Sequence, residues 1–438
     1  MRYRSIAGEC PDVTFRDALL TGIAPDGSLY IPGSFPGLNN TLLPPSGQSL
    51  HRLGYLVASA FIDDIPETDL KNIIKSAWDF PVPLKHLGNN IYLLELFHGP
   101  TLAFKDVGAR FMATVLDHYM RRENRQLKII VATSGDTGSA VAHGFHGADR
   151  IDVYILYPSG KISSLQEKQM TTLGGNIHAI EVDGVFDDCQ RLVKEALADK
   201  ELSRNGSITT ANSINLGRLL PQITYYLWGY VQWKSAENEN SQPPVFVVPS
   251  GNFGNLTAAL YANRMGMPAT KFIAATNSND IVPEYLNTGK YNPRPSEQTL
   301  SNAMDVGDPG NWSRIQALYG NDIERIRRDI DGISVNDDET IDEIKQTYNT
   351  TGYLLDPHTA VGVRAVRKVG GDAEDSVPYI VAATAHPAKF KDVIEKHLNI
   401  TIPLPEPLAR CLDLPKQSVS IGAEFGDLRD VILRRDEK

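Results

Sequence analysis

Short apolar runs of strand type recur along this chain, and most are followed by stretches whose apolar residues recur at helical spacing. The runs lie at residues 91–94, 128–132, 153–157, 177–182, 245–248, 272–276 and 379–383. Runs of this length that are rich in β-branched and aromatic residues are typical of buried strands. The alternation of strand and helix therefore predicts an α/β protein with parallel sheets covered by helices on both faces.

The N-terminal stretch, up to about residue 85, lacks this alternation. Pro- and Gly-rich pieces such as residues 31–37 stand beside a helical pattern around residues 53–61. No catalytic constellation occurs in it. We therefore expect a mixed N-terminal lobe that precedes the alternating region.

One lysine, Lys105, lies at a junction between strand and helix. It follows a strand-type run and a Gly-Pro turn, and a helix with a buried face begins beside it. The apolar residues of that helix are Val107, Phe111, Met112, Val115, Leu116, Tyr119 and Met120. The preceding Leu-Ala-Phe predicts an apolar pocket, which favours a neutral amine that can form a Schiff base with an aldehyde. The local pattern alone favours the commoner case, a solvated surface lysine.

Two Gly-containing loops each connect a strand-type run to a helical stretch. The first reads T-S-G-D-T-G-S-A at residues 133–140, and the second reads P-S-G-N-F-G-N at residues 249–255. Loop amides and a helix N-terminus favour an anion such as a carboxylate or phosphate. The first loop lacks the Gly-Lys-Ser/Thr of a P-loop. Loops of this kind also occur for purely structural reasons, so the residues leave ligand binding and a structural turn open.

A polar segment, A-N-S-I-N-L-G-R at residues 211–218, precedes an apolar helical stretch at residues 219–228. Asn and Ser are common helix caps, which would account for Asn212 and Ser213. A guanidinium beside hydroxyl and amide donors is also a phosphate-recognition set, and Arg218 would complete it. The residues alone leave both interpretations open.

Charge and cysteine content narrow the class of protein. With 43 basic and 53 acidic residues the formal charge is -10 and no basic block occurs, which argues against nucleic acid as a partner. The three cysteines are widely spaced and predict neither a disulfide framework nor a zinc site. No signal-peptide run or membrane-length apolar run is present, so we expect a cytoplasmic protein without a membrane partner.

Essentially the whole chain resembles the threonine synthases, pyridoxal-phosphate enzymes that convert O-phosphohomoserine to threonine. The resemblance is carried by E-L-F-H-G-P-T-L-A-F-K-D-V-G-A-R at residues 95–110, by the loop at residues 249–255 and by T-A-H-P-A-K-F at residues 384–390. It implies the fold type II architecture, in which two parallel-sheet α/β domains enclose the active site. We place the N-terminal lobe at residues 1–90, the smaller domain with the lysine at 91–235, and the larger, cofactor-phosphate domain at 236–438. These boundaries are approximate and allow discontinuous domains.

The resemblance also implies roles for individual residues. Lys105 would be the catalytic residue that carries pyridoxal 5'-phosphate as a Schiff base, and Thr384 would bond the pyridine nitrogen. The phosphate of the cofactor is assigned to Gly251, Asn252, Phe253 and Asn255. The phosphate of the substrate is assigned to Asn212, Ser213 and Arg218. Further candidates for holding substrate oxygens are Thr133, Ser134 and Thr137.

The implied reaction is γ-elimination of phosphate from O-phospho-L-homoserine followed by addition of water at Cβ, the last step of threonine biosynthesis. The alternatives are a related pyridoxal-phosphate-dependent dehydratase or phospholyase, and a non-enzymatic relative, which would be expected to have lost the lysine or the Gly loop. The sequence leaves open the roles of Asp136, where many pyridoxal enzymes carry asparagine, and of residues 296–312. It does not decide between a monomer and a dimer.

Overall fold

The computed structural model of the chain describes residues 1–38, 47–202, 207–237, 241–371 and 377–436. The α/β prediction is confirmed, because each apolar run proposed as a strand lies within a strand. The strands are β1 Tyr3–Ser5, β2 Tyr30–Pro32, β3 Leu84–Gly88, β4 Ile91–Glu95, β5 Leu127–Ala132, β6 Ile151–Pro158, β7 Ile177–Val182, β8 Ser207–Thr209, β9 Val245–Pro249, β10 Lys271–Thr276, β11 Ile330–Ser334, β12 Tyr379–Ala383 and β13 Ser418–Ile421.

The strands form a two-stranded pair and two larger sheets. A six-stranded sheet has the order β11-β10-β9-β12-β4-β3, and a five-stranded sheet has the order β13-β7-β6-β5-β8. All neighbours in the larger sheets pair in parallel except β3 and β4, which are antiparallel. Parallel neighbours require crossover connections, which the intervening helices supply.

The helices lie between and around the strands. The α-helices of the described ranges are Phe15–Thr21, Leu50–Phe61, Glu67–Ala77, Lys105–Glu123, Asp136–Phe145, Ser164–Thr171, Phe186–Ala198, Leu216–Leu219, Ile223–Ala236, Gly254–Arg264, Ile281–Thr288, Trp312–Leu318, Ile323–Asp329, Asp337–Thr351, Pro357–Lys368, Lys391–Leu398, Glu406–Leu412 and Phe425–Asp436. None of them combines the length and hydropathy needed to cross a bilayer.

Burial explains which strands the sequence revealed. Strands β5, β9 and β12 are buried at every position, so they read as largely apolar runs, interrupted in β5 by Lys128. The strands absent from the sequence prediction are short or lie at sheet edges, and several face solvent: β1, β2, β3, β8, β11 and β13. In β13, for example, Val419 and Ser420 are exposed, and such a strand carries no apolar signature.

The division into three domains stays a prediction, and the sheets draw on pieces that are distant in sequence. Strand β4 falls in the predicted smaller domain but pairs with β12 in the six-stranded sheet. Strand β13 falls in the predicted larger domain but pairs with β7 in the five-stranded sheet. The proposed boundary at residue 235 lies in the last turn of the helix Ile223–Ala236.

Candidate active site

A cavity of about 550 Å³ opens where the carboxyl ends of strands from both large sheets converge. Loops that follow β5, β9 and β12 line it, and this is the usual position of ligand sites in parallel α/β sheets. All the site residues predicted from the sequence line the cavity: Lys105, Thr133, Ser134, Thr137, Asn212, Ser213, Arg218, Gly251, Asn252, Phe253, Asn255 and Thr384. Their individual roles stay predictions.

Backbone pairing places Lys105 beside the end of β12. The Phe104 N–H donates to the Thr384 carbonyl at 2.8 Å, and the His386 N–H donates to the Leu102 carbonyl at 3.0 Å. Leu102 takes a left-handed conformation with φ 57°, which turns the chain into the helix that Lys105 begins. The lysine and Thr384 are thereby fixed on adjacent backbone segments.

The Lys105 amine has no hydrogen-bond partner within the described ranges. Burial lowers the pKa of Lys105 to about 8, an effect that Asp136 opposes and that the charges of Arg218 and Lys389 reinforce. A neutral fraction of the amine is therefore present at neutral pH, as a nucleophile or base requires.

The hydroxyl groups of the first Gly loop differ in what they contact. The Thr133 Oγ1 accepts hydrogen bonds from the N–H groups of Gly135 at 2.9 Å and Gly138 at 2.8 Å, so it holds the loop in shape. Ser134 and Thr137 line the cavity and make no side-chain hydrogen bond in the described part of the chain. Of the three candidates, these two offer hydroxyls that are free to meet a ligand.

In the polar segment at residues 211–218, too, one side chain is bonded to the protein and another keeps a group available for a ligand. The Asn212 Nδ2 donates to the Ala132 carbonyl at 2.9 Å, which ties the segment to the end of β5. Arg218 is buried, and its Nη1 donates to the Ala211 carbonyl at 2.6 Å. Its Nε has no partner in the described ranges. Burial lowers the pKa of Arg218 to about 10, which leaves the guanidinium charged at neutral pH.

The second Gly loop is joined to this segment by side chains. The Asn252 Nδ2 donates to the Ser213 Oγ at 2.6 Å, and the Asn252 Oδ1 accepts from the Gly310 N–H at 2.6 Å. Phe253, with φ 58°, precedes the helix Gly254–Arg264, so that helix points its N-terminus at the cavity. Loop amides and a helix N-terminus suit an anion.

Asn255 is oriented by two tyrosines. Its Oδ1 accepts hydrogen bonds from the hydroxyl groups of Tyr225 and Tyr226, the latter at 2.6 Å. Its Nδ2 is left buried and without a partner in the described part of the chain. A buried amide N–H in this state is costly unless a ligand satisfies it.

Residues 296–312, whose role could not be predicted from the sequence, contribute a wall of the cavity. The turn Asn302–Met304 packs so closely on Gly251 that a Cβ there would lie 2.7 Å from Met304 Cα. The Ala303 N–H donates to His358 Nε2 at 3.1 Å, and His358 Nδ1 bonds Asp356 Oδ1 at 2.9 Å. His358 also lines the cavity. His358 could not be predicted from the sequence, because its backbone partner, Ala303, lies far away along the chain.

Lys389 and Asp136 form a buried ion pair at the edge of the cavity. Lys389 Nζ lies 2.8 Å from Asp136 Oδ1, with side-chain exposures of 0% and 4%. Burial alone would raise the pKa of Asp136, but the charges of Lys389 and Lys105 hold it well below its usual range. Lys389 was not predicted as a site residue although it lies in the T-A-H-P-A-K-F segment. The sequence around a single lysine does not indicate which distant carboxylate it pairs with.

Known proteins of similar sequence match the chain over its full length. A threonine synthase of Haemophilus influenzae is 44% identical over 96% of this chain and 97% of its own. That of Escherichia coli is 42% identical over 99% of both. Family models match too: pyridoxal-phosphate dependent enzyme over residues 77–382, threonine synthase N terminus over 2–78, and threonine synthase, C-terminal over 359–432.

The chain belongs to the threonine synthase family. Solved threonine synthases share its fold. The enzyme from Escherichia coli superposes with a TM-score of 0.91 at 40% identity and covers 99% of this chain and 100% of its own. The pyridoxal-phosphate-bound threonine synthase from Brucella melitensis gives a TM-score of 0.92 at 34% identity, with 100% of both chains covered. These matches confirm the family and the fold type II architecture predicted from the sequence.

The residues of this threonine synthase family member fit pyridoxal phosphate. The Lys105 amine, which has no partner among the described residues, suits the aldehyde, and the buried Asn255 Nδ2 and the amides of the second Gly loop suit the phosphate. A cavity of about 550 Å³ lies within the range of small-molecule sites.

Proposed function

We propose that this chain is a threonine synthase that converts O-phospho-L-homoserine and water to L-threonine and phosphate, with pyridoxal 5'-phosphate as cofactor. One observation carries the proposal: the partly neutral amine of Lys105 and the buried guanidinium of Arg218 line the same cavity. The Nε of Arg218 has no partner in the described ranges. The first group suits an aldehyde and the second a phosphate. The full-length similarity to threonine synthases supports the same assignment.

The cofactor would be held at three places. Lys105 would bind its aldehyde carbon, the loop from Gly251 to Asn255 its phosphate, and the Thr384 hydroxyl its ring nitrogen. When bound, pyridoxal phosphate withdraws electrons from the substrate carbon that loses a proton. No described protein group bonds the Thr384 hydroxyl, and a neutral hydroxyl favours an unprotonated ring nitrogen.

Lys105 would move the protons of the reaction. Its Nζ would be placed to take a proton from the substrate Cα and then a second proton from Cβ. A pKa of about 8 suits both uptake and release of a proton near neutral pH. Phosphate would leave from Cγ, and Cγ would take up a proton to become the methyl group of threonine. Water would then add at Cβ, and Cα would regain a proton.

Arg218 would hold the substrate phosphate, together with Ser213. Its guanidinium stays charged and is shielded from solvent, so its attraction for a phosphate is stronger than at a surface. Asn212 would act mainly by tying this segment to β5, because its amide is already bonded to Ala132.

The test is phosphate release from O-phosphohomoserine by the purified protein with pyridoxal phosphate, with the amino-acid product identified in the same tube. We expect threonine in amounts equal to phosphate. Phosphate accompanied by a keto acid would instead indicate a dehydratase or phospholyase, and no phosphate would indicate a non-enzymatic relative.

The variant Lys105→Ala separates the role of the lysine from that of the fold. We expect loss of both turnover and the visible absorbance of lysine-bound cofactor, because alanine has no amine. Lys85→Ala is the matched control, since Lys85 is exposed on the edge strand β3. Persistence of either signal in Lys105→Ala would contradict the assignment.

The compartment follows from the proposed role in amino-acid synthesis. We place the protein in the cytoplasm, which accords with three cysteines that form no disulfide, Cys10, Cys189 and Cys411.

A further inference from the structure

We propose that Asp136, held in place by Lys389 and Gln166, is a positioning residue that sets the charge of the Lys105 amine during proton transfer. The inference deepens the proposed function and rests on it, because it concerns the lysine that acts as the base. It assigns a role to a carboxylate that the sequence left without one.

Two side chains hold the Asp136 carboxylate. Its Oδ1 accepts from Lys389 Nζ at 2.8 Å and from Gln166 Nε2 at 3.0 Å, whereas no donor in the described ranges reaches Oδ2. Asp136 is the first residue of the helix Asp136–Phe145, where the helix dipole favours a negative charge. Gln166 is packed tightly over Gly135, since a Cβ at that glycine would lie 2.6 Å from Gln166 Cδ. The carboxylate is therefore both ionised and unable to swing away.

Lys389 is also fixed in position, but it does not line the cavity. Its Nζ donates to the Thr101 carbonyl at 2.8 Å in addition to Asp136, and its side chain is fully buried. Asp136, in contrast, lines the cavity with Lys105. A lone buried carboxylate would either take up a proton or hold the Lys105 ammonium too firmly to act as a base. The ammonium of Lys389 prevents both outcomes.

Three charged groups act on Lys105 from three different elements. Asp136, at its helix N-terminus, favours the protonated amine, and Arg218 and Lys389 favour the neutral amine. Removing the Asp136 carboxylate must therefore lower the pKa of Lys105, and removing the Lys389 ammonium must raise it. Removing both charges should give a pKa between those of the two single variants, because the two contributions have opposite signs.

The test compares Asp136→Asn, Lys389→Met and the double variant. In each full-length protein without cofactor, the rate at which acetic anhydride modifies Lys105 is followed against pH by peptide mass spectrometry, since only the neutral amine reacts. We expect the midpoint to fall by about one pH unit in Asp136→Asn and to rise by a smaller amount in Lys389→Met, since Asp136 has the larger influence on Lys105. In the double variant it should lie above that of Asp136→Asn and below that of Lys389→Met. In the holoenzymes the acid limb of kcat should move in the same directions.

The matched control is Glu343→Gln, which removes another buried carboxylate that pairs with a cationic side chain, that of the partly buried Arg367, away from the cavity. It should leave the Lys105 midpoint unchanged. Shifts of the same sign in both single variants, or no shift in Asp136→Asn, would overturn the proposal. Asp136→Asn keeps the shape of the side chain, so its labelling midpoint can still be measured if Lys389→Met does not fold. The labelling midpoint is measured without threonine formation. A failure of the proposed function would therefore show in the activity test and leave the midpoints unaffected.

Discussion

At the residue scale, Arg218 decides whether the cavity selects a phosphorylated substrate. Arg218→Ala removes the buried Nε that lacks a partner in the described ranges, and with it a charge-assisted hydrogen bond. We expect the KM for O-phosphohomoserine to rise about 10- to 100-fold, which corresponds to the loss of a hydrogen bond to a charged group. Steady-state kinetics of phosphate release measure this change.

Two comparisons separate phosphate binding from general damage. Arg218→Lys keeps the charge but loses the planar fork, so its KM should lie between those of the original protein and the alanine variant. Arg110→Ala removes an arginine of the same helix as Lys105 that pairs with Asp79 and does not line the cavity. Its KM should be unchanged. An unchanged KM in Arg218→Ala would contradict the assignment.

Single residues also show where sequence reasoning ends. Lys105 could be singled out because residues 95–110 around it resemble the lysine segment of threonine synthases, whereas the local turn, apolar residues and helix start alone favour a surface lysine. His358 and Lys389 could not, because each is defined by a partner from a distant element, Ala303 and Asp136. Only the fold brings these pairs together.

At the element scale, the close approach of the turn Asn302–Met304 to the second Gly loop explains why Gly251 has no side chain. In Gly251→Ala the new Cβ would meet backbone atoms, Met304 Cα at 2.7 Å and the Ala303 carbonyl oxygen at 2.8 Å, so the turn or the loop must shift. Overpacking of this kind costs about 1–3 kcal/mol. We expect the dissociation constant for pyridoxal phosphate to rise about tenfold or more, measured by absorbance titration.

Gly254→Ala, in the same loop, is the graded control for this prediction. Its Cβ would meet a side-chain atom, Asn311 Nδ2, at 3.3 Å, and a side chain moves more easily than backbone. The loss of cofactor affinity should be smaller than in Gly251→Ala. Equal affinities in the two variants would show that the turn is free to move away from the loop.

The elements themselves were predictable to the extent that they are buried. Strands β5, β9 and β12 have no exposed face, and they could be predicted from their largely apolar sequences. The edge strands β3 and β13 did not, because half or more of their side chains meet solvent or are only partly covered. The apolar helical stretch predicted at residues 219–228 is interrupted by a 3₁₀ turn, Leu220–Gln222, which contains Pro221.

At the scale of the whole molecule, the site depends on segments from three regions meeting at one buried guanidinium. Arg314 Nε donates to the Tyr30 carbonyl at 3.0 Å, in the N-terminal lobe. Its Nη2 donates to the Ile214 carbonyl at 2.6 Å, next to the proposed phosphate-binding Ser213, and its Nη1 donates to Asn311 Oδ1 at 2.6 Å. Asn311 in turn donates to the Asn252 carbonyl at 3.0 Å.

Arg314→Met should therefore weaken both the fold and the site. It leaves three acceptors without their donor, two of them on the buried residues Tyr30 and Asn311. The loss of hydrogen bonds to a charged group predicts a decrease of about 3 kcal/mol or more in the free energy of unfolding. We expect a lower melting temperature, a lower urea midpoint and weaker cofactor binding in the same variant. Arg325→Met, at an exposed helical position, should change these quantities little. If Arg314→Met melted like the Arg325 variant, the three regions would be held together by their apolar packing instead of by this guanidinium.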